Sequence, residues 1–104
     1  MEQRNEFELI ICIVNRGFSD LVMETARAAG ARGGTLLHAR GGGQAGREFF
    51  GVSIQPEKEM LMILVKSQIK CPVMQAILKN AGNGSPAHAV CFSLPVDGAI
   101  GVAE

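Results

Sequence analysis

The sequence predicts an α+β fold in which an antiparallel β-sheet carries two helices on one face. The chain has 104 residues, which is long enough for one domain and too short for two. Short apolar runs that end at glycine or proline alternate with two segments whose apolar residues recur at helical spacing. Their order is strand, helix, strand, strand, helix, strand, which is the ferredoxin-like βαββαβ arrangement. We therefore expect a single domain over residues 1–104.

The first half of the chain supplies a strand, a helix and a second strand. The run Phe7–Val14 is short and almost continuously apolar, as is typical of a central strand. The dipeptide Ser19-Asp20 is expected to cap the first helix, and Gly30 is expected to end it. The segment Thr35–Arg40 predicts the second strand.

The second half supplies extended segments, the other helix and the last strand. Residues 48–54 and Met60–Val65 predict two extended pieces, separated by a proline that belongs at a strand edge or a bulge. The segment Cys71–Gly82 predicts the second helix, and Ala87–Leu94 predicts the last strand. Because the inner strands are apolar on both sides, we expect another subunit to cover the sheet face that lacks helices.

Charge and residue content exclude several classes of function. Ten lysines and arginines balance ten acidic residues, and a net charge of zero disfavours nucleic-acid binding. No signal peptide and no apolar run of about 18 residues occurs, so we expect a cytoplasmic protein. In that compartment Cys12, Cys71 and Cys91 are expected to remain thiols. No serine or paired acids form a catalytic motif, so we expect no enzyme and no catalytic residues.

Four short motifs carry a resemblance along the whole chain: Ile11–Val14, Ala28–Thr35, Gly41–Gln44 and Phe92–Val96. Through them the chain resembles the PII family of nitrogen-regulatory signal proteins. The resemblance implies a ferredoxin-like homotrimer that binds adenine nucleotides between subunits and also senses 2-oxoglutarate. It further implies that residues 41–56 form a loop that regulates an enzyme or a transporter. The chain has no tyrosine, so nucleotidylation of a loop tyrosine is chemically excluded.

The resemblance also indicates candidate ligand-binding residues. Gln44 matches the family glutamine that helps to hold magnesium and 2-oxoglutarate, and Lys58 lies near the position that pairs with the carboxylate of that acid. The turn Gly84–Val90 departs from the family pattern, because it lacks the basic residue that grips phosphate. We expect weak ATP binding for this reason. The candidate ligand-binding residues are Arg40, Gly41, Gly42, Gly43, Gln44, Arg47, Lys58, Gly84 and His88, with the two arginines and the histidine available to neutralise a phosphate.

Two alternatives stay open beside a sensor of ATP, ADP or AMP with or without magnesium. The missing phosphate cations also suit a structural trimer that binds no ligand. A metal-binding trimer would use His38 or His88, although no carboxylate or cysteine stands beside either histidine at metal-ligand spacing. We therefore assign no metal ligand. The ordinary alternative for Gly41–Gly43 is a flexible connection between two strands.

Overall fold

Strands and helices follow one another in the predicted order in the computed structural model, which describes residues 6–39, 48–49, 52–53, 58–82 and 84–100. The elements are β1 (Phe7–Asn15), α1 (Ser19–Ala28), β2 (Gly34–Ala39), β3 (Glu48–Phe49), β4 (Val52–Ser53), β5 (Lys58–Lys66), α2 (Lys70–Ala81) and β6 (Val90–Val96). A 3-10 turn, Ser67–Ile69, precedes α2. The prediction of an α+β fold is confirmed.

The main sheet has four strands in the order β2-β5-β1-β6, and every neighbouring pair is antiparallel. Strand β1 is a central strand, as predicted, and it pairs with β5 over its whole length, from Phe7 opposite Lys66 to Asn15 opposite Lys58. The short strands β3 and β4 form a separate two-stranded ribbon. The order and directions of the four long strands are those of the ferredoxin-like arrangement.

The hydrophobic core lies between the two helices and one face of the main sheet. Successive strand residues point to opposite faces, so alternate residues of β1 and β5 reach the helices. Buried members of this core include Ile10, Cys12, Val14, Val22, Ala26, Leu61, Ile63, Val65, Val73 and Ile77. Both helices therefore cover the same face, as the sequence predicts.

The opposite face of the main sheet, which we call the open face, is also apolar. By strand register its central residues are Leu9, Ile11, Ile13, Leu37, Met60, Met62, Leu64, Phe92 and Leu94. Leu37 and Leu94, on the two edge strands, are 45% and 38% exposed. Ile11 and Ile13, on the central strand β1, are only 5% and 1% exposed, so the exposed apolar area lies towards the edge strands. Exposed apolar patches mark contacts with other molecules. That another subunit covers this face stays a prediction.

Residues 48–54, predicted as one extended piece, contain the two short strands β3 and β4, which pair with each other, so that prediction is wrong. Other differences lie at the ends of α1 and β6. Phe18 occupies the N-cap position of α1 and no side chain caps that helix, so the predicted capping by Ser19-Asp20 is wrong. Strand β6 begins at Val90 and not at Ala87. The reason is the backbone of His88, whose φ of 54° is incompatible with an extended strand.

Cys12 and Cys91 form a disulfide, so the expectation that all three cysteines are thiols is wrong. The register of β1 and β6 places the two residues directly opposite one another, with their Cα atoms 4.4 Å apart. That separation lies within the range that a disulfide spans. The pairing joins positions 79 residues apart, and only the fold brings them together. Cys71 is a free, exposed thiol.

Both helices are short, with 10 residues in α1 and 12 in α2. A helix that crosses a membrane needs about 20 predominantly apolar residues. Within the ranges that the structure describes, no helix reaches the length and hydropathy of a membrane span.

Two adjacent residues of α2 test how the helix packs. Ile77 is fully buried, whereas Leu78 is 64% exposed. We expect Ile77→Ala to lower the free energy of unfolding by about 2–5 kcal/mol, because it removes buried apolar atoms and leaves a cavity. Leu78→Ala should change it by less than about 1 kcal/mol. Urea unfolding of both variants measures the difference, and equal losses would contradict the packing described here.

Candidate functional site

The last residue of β1 and the first residue of β5 meet at one end of the main sheet. Asn15 lies opposite Lys58 in the antiparallel register, and Lys58 Nζ donates a hydrogen bond to Asn15 Oδ1 at 2.9 Å. Both residues belong to the open face, because their chain neighbours Val14 and Glu59 are buried on the helix side. The lysine ammonium is therefore held at the rim of the apolar open face.

Asn15 also holds the segment 84–89, which leads into β6. Its side-chain Nδ2 donates a hydrogen bond to the Pro86 carbonyl at 2.9 Å, and its backbone N–H donates to the Ala87 carbonyl, also at 2.9 Å. One side-chain amide thus accepts from Lys58 and donates to this segment. Asn15 is absent from the sequence-based candidates, and its only sequence signal is an amide side chain directly after an apolar strand.

The segment 84–89 uses several of its own N–H groups internally. The backbone N–H of His88 donates to the Ser85 carbonyl at 3.1 Å, and that of Ala87 donates to Ser85 Oγ at 3.1 Å. The N–H of Ala89 donates to the carbonyl of Ala81, the last residue of α2, at 2.7 Å. Phosphate-binding loops instead leave successive N–H groups directed at the anion. The N–H groups of Ala87, His88 and Ala89 are already occupied, and the Lys58 ammonium is joined to this segment through Asn15.

Two residues of this segment have left-handed backbone conformations. Gly84 has φ 96° and His88 has φ 54°. Glycine adopts such values freely, whereas histidine does so rarely and needs fixed neighbours to keep it there. The His88 side chain is exposed, so its ring is open to solvent beside the segment that Asn15 holds.

Glu59, the neighbour of Lys58 on β5, is a charged residue that is only 6% exposed. Its Oε1 accepts a hydrogen bond from the backbone N–H of Gly17 at 3.3 Å, in the turn between β1 and α1. A buried carboxylate needs such partners, because burial removes its hydration. Glu59 therefore holds the turn between β1 and α1. Lys58 and Glu59 are consecutive residues of β5, so their side chains point to opposite faces of the sheet.

Three of the nine predicted ligand residues belong to the part of the chain that the structure describes, and six lie outside it. Asn15 joins Lys58 to the segment that contains Gly84 and His88, so these three predicted residues come together at one end of the sheet. The other predicted residues lie outside the described residues: Arg40, Gly41, Gly42, Gly43, Gln44 and Arg47.

The two histidines lie on different edges of the main sheet. His38 belongs to β2, one edge strand, and His88 precedes β6, the other edge strand. Among the residues for which the structure gives a description, no three His, Cys, Asp or Glu side chains gather as a metal-binding group. A metal site that uses both histidines would need contact between two chains.

The family model for "Nitrogen regulatory protein P-II" matches residues 7–103. The chain belongs to the P-II family. A search of curated protein sequences finds no match.

Two solved structures show how this P-II family chain compares with others of its kind. The Arabidopsis thaliana PII structure bound to citrate is 25% identical in sequence, with a TM-score of 0.66 over 89% of this chain and 77% of that one. A putative PII-like signaling protein from Thermus thermophilus is 18% identical, with a TM-score of 0.60 over 88% of this chain and 89% of that one. The likeness supports the ferredoxin-like fold and a signalling regulator of the P-II type.

Replacing Asn15 tests whether it joins β1 to the segment before β6. We expect Asn15→Ala to lower the free energy of unfolding by about 1 kcal/mol, because it removes a donor to Pro86 and an acceptor from Lys58. Amide exchange should become faster at residues 85–89. Asn80→Ala is a matched control, because the Asn80 amide makes one long contact with the described residues, 3.5 Å to Thr25 Oγ1. Hydrogen exchange measured by NMR checks both, and unchanged exchange in Asn15→Ala would contradict the arrangement.

Proposed function

We propose that this P-II family protein is a cytoplasmic homotrimer that senses a small anionic metabolite at its subunit contacts. The metabolite is an adenine nucleotide, ATP, ADP or AMP, with 2-oxoglutarate and magnesium as additional candidates. Binding alters the loop of residues 41–56, and through this loop the protein regulates an enzyme or a transporter of nitrogen and carbon metabolism.

The observation that carries the proposal is the connection from Lys58 through Asn15 to Pro86. In this connection the Lys58 ammonium is hydrogen-bonded to Asn15, the residue that holds the segment 84–89 before β6. An anion that takes the Lys58 ammonium competes with Asn15 for it, because a charged partner forms a stronger hydrogen bond than an amide oxygen. Binding there would loosen one of the two side-chain bonds of Asn15 and so act on the segment 84–89.

The proposed location between subunits follows from the face on which Lys58 lies. Lys58 stands at the rim of the open face, and the central residues of that face are apolar. Packing these residues against other copies would remove them from water, at about 25 cal/mol per Å² of apolar surface. The lysine at the rim would then line a cleft between neighbouring chains, where a ligand could contact both.

The anionic class of the ligand rests on charge and on one solved relative. The Arabidopsis thaliana PII structure is bound to citrate, a small anion with several carboxylates. In this chain Lys58 is the described cation joined to the segment 84–89, and the N–H groups of Ala87, His88 and Ala89 are occupied. These features favour a modest affinity for a nucleotide triphosphate, and the arginines Arg40 and Arg47 are the remaining candidates for phosphate contacts.

Assembly can be tested with two leucines of equal exposure. Leu94, on the open face, is 38% exposed, and Leu21, on α1, is 37% exposed. At micromolar concentration, we expect light scattering of the wild type to give the mass of three chains. Leu94→Lys should give lighter species, because it places a charge in the buried contact, whereas Leu21→Lys should keep the wild-type mass. A monomeric wild type would contradict the proposal.

Ligand binding can be tested by calorimetry with ATP, ADP and AMP, each with and without magnesium and 2-oxoglutarate. We expect Lys58→Gln to weaken binding of the ligand that the wild type prefers by about tenfold or more, because a charged hydrogen bond is lost. Lys79→Gln removes the same charge from the exposed end of α2 and should leave the affinity unchanged.

Three outcomes of the binding test would count against the proposal. Equal affinities in the two lysine variants would show that the ligand does not bind at Lys58. A wild-type trimer that binds none of these ligands would favour the structural trimer, and binding only after addition of a transition metal would favour the metal-binding trimer.

A further inference from the structure

The two cysteines of the disulfide, Cys12 and Cys91, differ in their exposure to solvent. Cys12, on the central strand β1, is 0% exposed. Cys91, on the edge strand β6, is partly exposed and lines an open pocket of about 160 Å³ between α2 and β6. A molecule that approaches from solvent can therefore reach Cys91 and not Cys12.

We propose that Cys12 and Cys91 form a reversible redox site, which a small thiol opens by attacking Cys91 Sγ through this pocket. The proposal is independent of the nucleotide site, because it uses the opposite face of the sheet. Cys12 belongs to the core on the helix side, whereas Asn15 and Lys58 belong to the open face.

The pocket has the size and lining that such an attack requires. Besides Cys91 it is lined by Met74, Gln75, Leu78 and Ala89. Its volume exceeds the roughly 30 Å³ that one water molecule occupies in the liquid, so the sulfur of a small thiol can enter it. Leu78, at its rim, is 64% exposed and does not close it. Gln75 supplies the polar group of the lining.

The chemistry is thiol–disulfide exchange with a low-molecular-weight thiol as the reductant. Its thiolate attacks Cys91 Sγ, the bond between the two protein sulfurs breaks, and the electron pair leaves on Cys12 Sγ, which then takes up a proton. A second thiol attacks the outer sulfur of the mixed disulfide and releases Cys91 as a thiol. In total one protein disulfide is reduced to two thiols, and two small thiols are oxidised to one small disulfide.

Opening the disulfide acts on the attachment of β6. This strand lies at the sheet edge and pairs with β1 alone in the main sheet. The disulfide is a covalent link between the two strands, in addition to their hydrogen bonds. After reduction we expect faster amide exchange in β6, while β5, which lies between β1 and β2, keeps its protection.

The first experiment counts thiols in the folded chain. Protein purified and kept in air without reductant, the oxidised sample, should take up one equivalent of iodoacetamide, at Cys71, the exposed free thiol. After dithiothreitol treatment of the folded protein, peptide mapping should show Cys12 and Cys91 alkylated once the protein is denatured. Three reactive cysteines in the oxidised sample, or a disulfide that dithiothreitol opens only in denaturant, would overturn the proposal.

The second experiment tests the route of attack with reduced glutathione, a negatively charged thiol. Gln75→Lys should raise the rate of reduction, and Gln75→Glu should lower it, each by about twofold to fourfold at low ionic strength. The same charges placed at Gln68, which is exposed and outside the pocket lining, are the matched control. Equal effects at both positions would show that the thiol does not enter through the pocket. The folded state of each variant is checked by circular dichroism.

Discussion

The position of β1 between β5 and β6 is the constraint on which the rest of the structure depends. Its register with β6 sets Cys12 opposite Cys91, and its register with β5 sets Asn15 opposite Lys58. A shift by one residue would turn every side chain of β1 to the other face. Because β1 is apolar on both faces, its hydrophobic residues alone distinguish these registers poorly. The polar groups at the strand ends do so, with Lys58 bonded to Asn15 at one end and Lys66 beside Glu6 at the other.

The two faces of the sheet serve different purposes because the helices cover only one of them. On the helix side, alternate residues of β1 and β5 complete a core that the chain forms by itself. On the open face the same strands present apolar residues that one chain leaves partly exposed, such as Leu37 and Leu94. The same strands thus stabilise the single chain and supply the surface for the proposed contact with further chains. Lys58, a candidate ligand residue that the structure describes, lies where the open face ends, so the proposed assembly and the proposed binding share one boundary.

Local patterns in the sequence were sufficient for the fold and insufficient for the site. Strand and helix periodicity, with Gly30 after α1, predicts the order of elements because these signals lie within a few residues of one another. The contacts of Asn15 and the disulfide of Cys12 depend on partners 71 and 79 residues away. The role of Glu59 also depends on a distant partner. Its burial follows from strand alternation, and its hydrogen bond comes from the turn at Gly17, 42 residues away. Pairing at such distances is decided by register, which composition and spacing do not reveal.

Strand β6 is where the two proposed activities meet. From the open side, Asn15 holds the segment that leads into β6. From the helix side, Cys12 holds β6 directly through Cys91. An edge strand depends on one neighbouring strand for its ladder, so each of these attachments makes up a larger share of what fixes β6 than it would in a central strand. A ligand at Lys58 and a thiol at Cys91 would thus act on the same strand from opposite faces of the sheet, which couples an anion signal to a redox signal without a contact between the two sites.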